Sequence, residues 1–438
     1  MLVNKNKLIL AAAVSGLFAM PVAQATNGYF AHGYSTKEKG LAGAGVAYSQ
    51  DAMAAASNPA GMAFVGERMD VGAALFSPSD RSFTVTGTPT PASFTNAVPG
   101  EVYVSENDMF LIPHFAYNWQ MDTDSTMGIS VYGNGGMNTE YPASASPFGA
   151  GLFGAGDVGI NLEQLFFNLS MAKKNSSNSA FGASLVIAAQ RFAAAGLDGF
   201  GGFAADGTGD NVSGNRHSYS YGAGFKLGYQ SEIVDSLTFG VSYQSKIAMG
   251  KFDEYSDLFA QAGSFDIPET YTVGLAYDLG DSGKVVLDVQ RINYSNVNSI
   301  ANPVQNLFAC LGGDPTQCLG GSSGAGFGWE DMTVMKLGYE ITAGGNTYRV
   351  GYSKGDQPIP ESQMLFNILA PAVMEEHITF GMTMPMGTDQ ELNVAVMVAP
   401  SSSVKGPNPF DGGAAVGGSD IELEMEQKEI QVGWAWKY

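Results

Sequence analysis

Ile430-Gln431-Val432-Gly433-Trp434-Ala435-Trp436-Lys437-Tyr438 closes the chain, and its alternation decides the fold. Ile430, Val432, Trp434, Trp436 and Tyr438 fall on one face of an extended strand, and Glu429, Gln431, Gly433, Ala435 and Lys437 on the other. Successive strand side chains point to opposite faces, so one face is greasy and the other small or polar. The period recurs upstream. Leu392, Val394, Val396 and Val398 alternate with Glu391, Asn393, Ala395 and Met397, and Tyr271, Val273, Leu275 and Tyr277 with Thr270, Thr272, Gly274 and Ala276. Leu237 to Gln244, Ile378 to Met384 and Gln164 to Met171 read the same way. A soluble sandwich shows this alternation too, so the period alone leaves the medium open.

The start of the chain decides it. Lys5 and Lys7 precede an apolar run from Leu8 to Ala19, and Ala23-Gln24-Ala25 gives the small-x-small cleavage pattern of a signal peptide. Residues 1–25 are therefore expected to be removed, leaving a mature chain that begins at Thr26 in the envelope of a Gram-negative cell. No later apolar stretch reaches the 18 or so residues of a membrane helix. A closed barrel spans without one, because every backbone group pairs with a neighbouring strand. The composition fits: 57 glycines among 438 residues is about twice ordinary usage, and 14% charged residues compares with about 25% in soluble domains. The aromatic C-terminus resembles the signal by which the barrel-assembly machinery recognises outer-membrane proteins, although most of those end in Phe rather than Tyr438.

The turns give the strand count. Short polar turns fall near 121–125, 174–179, 231–236, 280–283, 343–346 and 386–389. Long connections fall near 78–108, 135–162, 197–217, 253–267, 296–330, 355–374 and 401–425. Six turns and seven loops make fourteen antiparallel strands, with the turns facing the periplasm and the loops outside, among lipopolysaccharide and outer-membrane lipid. The reading is an all-β membrane protein, a monomer, with a barrel over 67–438.

Residues 26–66 do not read as strand. Gly40 to Ala47 is small and flexible, Asp51 to Ser57 favours a short helix, and Asn58-Pro59-Ala60 ends it. A signal peptide, a small Gly/Ala-rich N-terminal plug, Asn58-Pro59-Ala60 and fourteen strands together resemble the FadL/TodX (OmpP1) family over the whole mature chain. Phe366-Asn367-Ile368-Leu369-Ala370-Pro371 also looks like a stretch common in members. These proteins carry long-chain fatty acids and aromatic hydrocarbons across the outer membrane.

The resemblance implies several roles. The plug, 26–66, fills the barrel, and an apolar residue near its start, here Tyr29 or Phe30, reaches the ligand site. The third strand is kinked and opens the wall sideways; Gly133-Asn134-Gly135-Gly136 is where that opening falls, with the simple start of a loop as the other reading. Arg191 matches a family position at the ligand head group, yet alternation from Leu185 and Ile187 puts it on the outer face. Lys336 and Lys246 have inward parity and are its rivals. Phe252, Tyr255 and Phe259, at near-helical spacing in one long loop, and Phe200 and Phe203 in another, are candidate capture surfaces. Burial of methylenes yields about 0.8 kcal/mol each, so a sixteen-carbon tail offers roughly 10 kcal/mol before costs. A dry apolar site would suffice for capture.

Cys310 and Cys318, the only cysteines, are separated by a loop containing Gly312, Gly313 and Pro315 and are expected to form a disulfide in an oxidising compartment. The net charge of −21 excludes a nucleic-acid partner. No metal-ligand spacing, phosphate loop or cofactor motif is visible, and His217 beside Ser218 is the single hint of catalytic residues, which strand geometry sends to opposite faces. The sequence thus points to passive, ligand-gated uptake of hydrophobic compounds, without catalysis, cofactor or metal, through a plugged barrel with lateral exit. A general diffusion porin is the alternative.

Overall fold

The computed structural model describes residues 26–90, 93–143, 151–154 and 156–438; the expected signal peptide lies outside them. Fourteen long strands form the wall. They are β1 (Arg68–Ser77), β2 (Phe110–Gln120), β3 (Ser125–Tyr141), β4 (Val158–Ser176), β5 (Ser179–Ala195), β6 (Ser218–Val234), β7 (Leu237–Gln244), β8 (Thr270–Asp278), β9 (Lys284–Ile292), β10 (Met332–Ala343), β11 (Asn346–Gly355), β12 (Glu376–Pro385), β13 (Gln390–Pro407) and β14 (Ser419–Lys437). Each pairs antiparallel with its sequence neighbours. β1 pairs with β2 on one side, from Arg68↔Asn118 to Phe76↔Phe110, and with β14 on the other, from Arg68↔Lys437 to Ser77↔Lys428, which closes the barrel. Closure removes every unpaired edge, which a lipid medium requires.

The burial pattern follows the alternation. On β8, Tyr271, Val273, Leu275 and Tyr277 are 44%, 46%, 38% and 48% exposed, facing lipid, whereas Thr270 and Ala276 are buried. Trp434 and Trp436 on β14 and Tyr117 and Trp119 on β2 form neighbouring ring pairs at the short-turn end, where Tyr438 also packs edge-on to Tyr117. Such aromatic bands sit at the membrane–water boundary.

Two long connections are shorter than the sequence expectation. The connection placed at 135–162 is only 142–157, because β3 does not end at the glycine run. The ladder skips Asn134, passing from Gly133↔Leu165 to Gly135↔Gln164, and then continues to Tyr141. A bulge of this kind puts two residues against one and bends the strand. The connection placed at 401–425 shrinks to 408–418, because β13 and β14 rise beyond the lipid. There β14 pairs with a further short strand, Ser82–Gly87, which pairs in turn with Val102–Val104. Parity along β14 never resets: Ile421, Leu423, Met425, Gln427, Glu429 and Gln431 are all buried inward. The register shift lies on β13, between Ala399 and Ser402. The strand therefore carries its greasy face into the upper lumen while Glu422, Glu424 and Glu426 face outward.

Candidate functional site

The N-terminal segment lies against the inward side chains. A one-turn helix, α1 (Thr36–Lys39), is capped by Ser35, whose side chain accepts from Glu38 N. A second, α2 (Ala54–Ser57), runs into a 3-10 turn, Pro59–Phe64. Lys37 pairs with Glu391 of β13 at 2.7 Å and Lys39 with Glu429 of β14 at 2.8 Å. Gly45 N and Val46 N both donate to Asp288 of β9, at 2.8 and 3.0 Å. Partners on strands around the wall put this segment inside the lumen.

Asn58 is the principal clasp. Its Oδ1 accepts from Ala60 N at 3.1 Å, and its Nδ2 donates to Val46 O at 2.7 Å and to Tyr229 O of β6 at 3.0 Å. It thus ends α2, starts the 3-10 turn and ties both to the wall. Pro59 follows at the first position of that turn, where its missing N–H costs nothing. Gly228 makes room: a Cβ there would lie 2.0 Å from Asn58 Oδ1.

The first residues meet the bulge. Ala31 N donates to Asn134 O at 3.0 Å, and Gly136 N to Tyr29 O at 3.1 Å. Phe30 thereby bridges to Gly135, and a Cβ at Gly135 would sit 1.7 Å from Tyr29 O. Asn134, turned inward by the bulge, accepts from Tyr34 OH at 3.1 Å and donates to Gln164 at 3.0 Å; Gln164 donates on to Gln190 at 3.1 Å. The gap in the wall regularity is thus filled by residues 29–31.

Tyr29 and Phe30 sit in an aromatic box. Tyr29 lies 5.5 Å from Tyr294, 6.1 Å from Trp329 and 6.2 Å from Phe265, centroid to centroid. Outward of this box is an apolar chamber of about 530 Å³, lined among others by Phe192, Phe200, Phe259, Phe327, Phe366 and Leu369. Phe327 touches Trp329 and Phe259 touches Phe265, so chamber and box share walls. On the other side the lumen turns polar: a cavity of about 490 Å³ is lined by His32, Ser57, Lys226, Asp288 and Lys336.

Of the capture candidates, Phe259, Phe252 and Tyr255 all gather on Phe192 of β5, at 4.7, 5.6 and 4.8 Å. Phe259 lines the chamber; Phe252 and Tyr255 support it. Cys310 and Cys318 are bonded to each other. The residues that follow act as a strap over the chamber. Leu319 N donates to Phe203 O at 2.9 Å, while Gln261 N and Ala262 N donate to Gly321 O and Gly320 O, each at 2.8 Å. Gln261 and Ala262 are held at φ 59° and 57°, a left-handed conformation rare outside glycine.

The cation candidates are not brought to the chamber. Arg191 keeps its outward parity and forms a bidentate pair with Glu163 of β4, at 2.8 and 2.7 Å, which satisfies its fork outside the lumen. Lys336 is inward, yet its Nζ donates to His32 O and Gly43 O at 3.1 and 3.4 Å in the polar cavity. Lys246 pairs with Asp266 at 2.9 Å. Ser218 Oγ donates to Glu254. Tyr294, Trp329, Phe265 and Phe192 were not singled out by sequence; Tyr294 and Trp329 stand at opposite ends of one long loop and Phe265 in another, and no periodic signal links them.

A closed fourteen-stranded barrel, with its own N-terminal segment in the lumen and an apolar chamber beneath its long loops, defines a transport barrel of the outer membrane. The chain belongs to the outer membrane protein transport protein family (OMPP1/FadL/TodX), whose model matches residues 17–408. The same fold occurs in the toluene transporter TodX of Pseudomonas putida, at 18% identity and a TM-score of 0.68 over 93% of this chain and 99% of that one. It occurs in a FadL homologue of Pseudomonas aeruginosa, at 13% identity and a TM-score of 0.65 over 94% and 99%. The toluene transporter TbuX of Ralstonia pickettii shares it at 16% identity and a TM-score of 0.61 over 93% and 99%. No curated protein matches the chain in sequence.

Proposed function

We propose that this chain takes up hydrophobic compounds passively, with residues 26–66 as the plug and the β3 bulge as a lateral exit into the membrane. The ligand enters beneath the long loops, settles in the apolar chamber and reaches the box around Tyr29. Displacement of Tyr29 and Phe30 from the bulge then releases it sideways. The observation that carries this reading is the backbone bridge between Phe30 and Gly135. It makes the chain start both a wall of the ligand box and the stopper of the wall break.

The polar cavity beyond the box supports a sideways route. A hydrocarbon moved on past His32, Lys226, Asp288 and Lys336 would give up the burial gained in the chamber, about 25 cal/mol per Å². The toluene transporters that share the fold are consistent with such cargo. Growth of a deletion strain on a fatty acid, an alkane and an aromatic hydrocarbon, each complemented with this chain, tests the function. Growth restored on at least one is expected; on none, the reading falls. Planar-bilayer recordings separate it from a general porin, which would show steady ion conductance.

A further inference from the structure

We infer that Arg81, between β1 and the Ser82–Gly87 strand, is an anion-recognising residue that receives the carboxylate head of an amphiphilic ligand whose tail lies in the apolar chamber. This rests on the uptake reading above and specifies its cargo.

The guanidinium is 4% exposed. Its Nη2 donates to Ser105 Oγ at 3.0 Å and to Asn107 O, and its Nε has no partner. Every Asp and Glu of the chain lies among the described residues, and none forms an ion pair with Arg81. Asp108 acts on it through space without a hydrogen bond. Burial lowers its pKa to about 10, so it remains charged at neutral pH. A buried charge without a counter-charge is costly, and proteins rarely keep one that does no work.

The space beside it is narrow and adjoins the apolar chamber. Arg81 lines a small void whose other walls include Met137, Trp329, Leu369, Pro371 and Met425. Leu369 also lines the 530 Å³ chamber, and Trp329 belongs to the aromatic box. The wall between the two spaces is held in place by β3, where Thr139 Oγ1 donates to Leu369 O at 2.8 Å and Tyr141 OH to Ile368 O at 3.1 Å. With Nη2 taken by Ser105 and Asn107, the Nε–H is left to donate one charge-assisted hydrogen bond to a carboxylate. The head would neutralise Arg81 while methylenes run past Leu369 into the chamber.

The test compares hexadecanoate with hexadecan-1-ol for binding to the full chain in lipid nanodiscs, in wild type, Arg81→Met and Arg81→Lys. Charge-assisted hydrogen bonds of this kind correspond to roughly 10- to 100-fold in affinity. Arg81→Met should lose hexadecanoate binding by that factor and keep hexadecan-1-ol binding, with Arg81→Lys between. Heat-modifiable migration of each variant reports a folded barrel. If Arg81→Met changes neither ligand, or weakens both equally, the inference is overturned while the uptake reading stands. If wild type binds neither ligand, the uptake reading fails and this inference with it.

Discussion

Replacing Asn58 with alanine tests whether the N-terminal segment is a separable, wall-anchored unit. The side chain makes three hydrogen bonds, to Ala60 N, Val46 O and Tyr229 O. Loss of an N-cap costs about 1 kcal/mol, and each further bond about 0.5–1.5 kcal/mol net. The sum is roughly 2–4 kcal/mol, which raises local opening by roughly 30- to 1000-fold. No bond of the barrel ladder involves this side chain, so the wall should be unaffected. Hydrogen-exchange mass spectrometry reads both: peptides covering 44–64 should exchange faster by that factor, while peptides from β9 to β14 keep their protection. Uptake should slow in parallel. Unchanged protection over 44–64 would refute the clasp, and equal loss throughout the wall would refute the separation of segment from barrel.

Further expectations follow from the loops and the lumen. Replacing Cys310 and Cys318 together by serine removes roughly 2–3 kcal/mol of chain-entropy constraint, so exchange over 305–325 should rise and ligand affinity fall. Phe192→Ala takes away the ring on which Phe252, Tyr255 and Phe259 gather and should cost about 3–5 kcal/mol of packing, read as lost protection over 252–263. Burial, reinforced by the Asp51 carboxylate, pushes Glu38 up to about 7, although the Ser57 hydroxyl bond opposes the shift. The folded form thus holds a proton that the unfolded chain releases near pH 4.5, and this contribution to stability is lost as pH rises from about 4.5 to 7. Glu38→Gln should flatten that dependence in the exchange of 35–57.

Much of the fold was legible because lipid on one side and a lumen on the other enforce a strict period. The outward rings of β8 and β14 and the six short turns gave strand number and direction. The glycine run at 133–136 marked the β3 irregularity, since glycine is what a bulge and a close backbone approach both need. Strand length was less visible: a bulged strand and a finished strand look alike until the partner is known, and β4 supplied it. On β14, parity was readable from 429 to 438, but its continuation inward through Ile421, Leu423 and Met425 is seen only from the pairing with β13.

The site was legible only where it is local. Asn58-Pro59-Ala60 announced a turn, and its clasp on Tyr229 is the tertiary use of that turn. The meeting of Phe30 with Gly135, and of Tyr29 with Tyr294 and Trp329, joins residues far apart in sequence, for which no pattern exists. Parity put Arg191 on the outer face, and it is there, paired with Glu163. Arg81 lies in an irregular connection, where neither period nor spacing sets a charged residue apart.

The central claim is that ligand leaves through the wall at the β3 bulge. Deleting Asn134 turns the two-against-one pairing with β4 into a regular ladder and removes the Asn134 bonds to Ala31, Tyr34 and Gln164, while no residue of the chamber is changed. Uptake of a labelled hydrophobic substrate by cells carrying this variant, at matched amounts of folded barrel, should fall to the level of cells lacking the protein. Uptake at the wild-type rate would contradict the account and direct the ligand down the lumen instead.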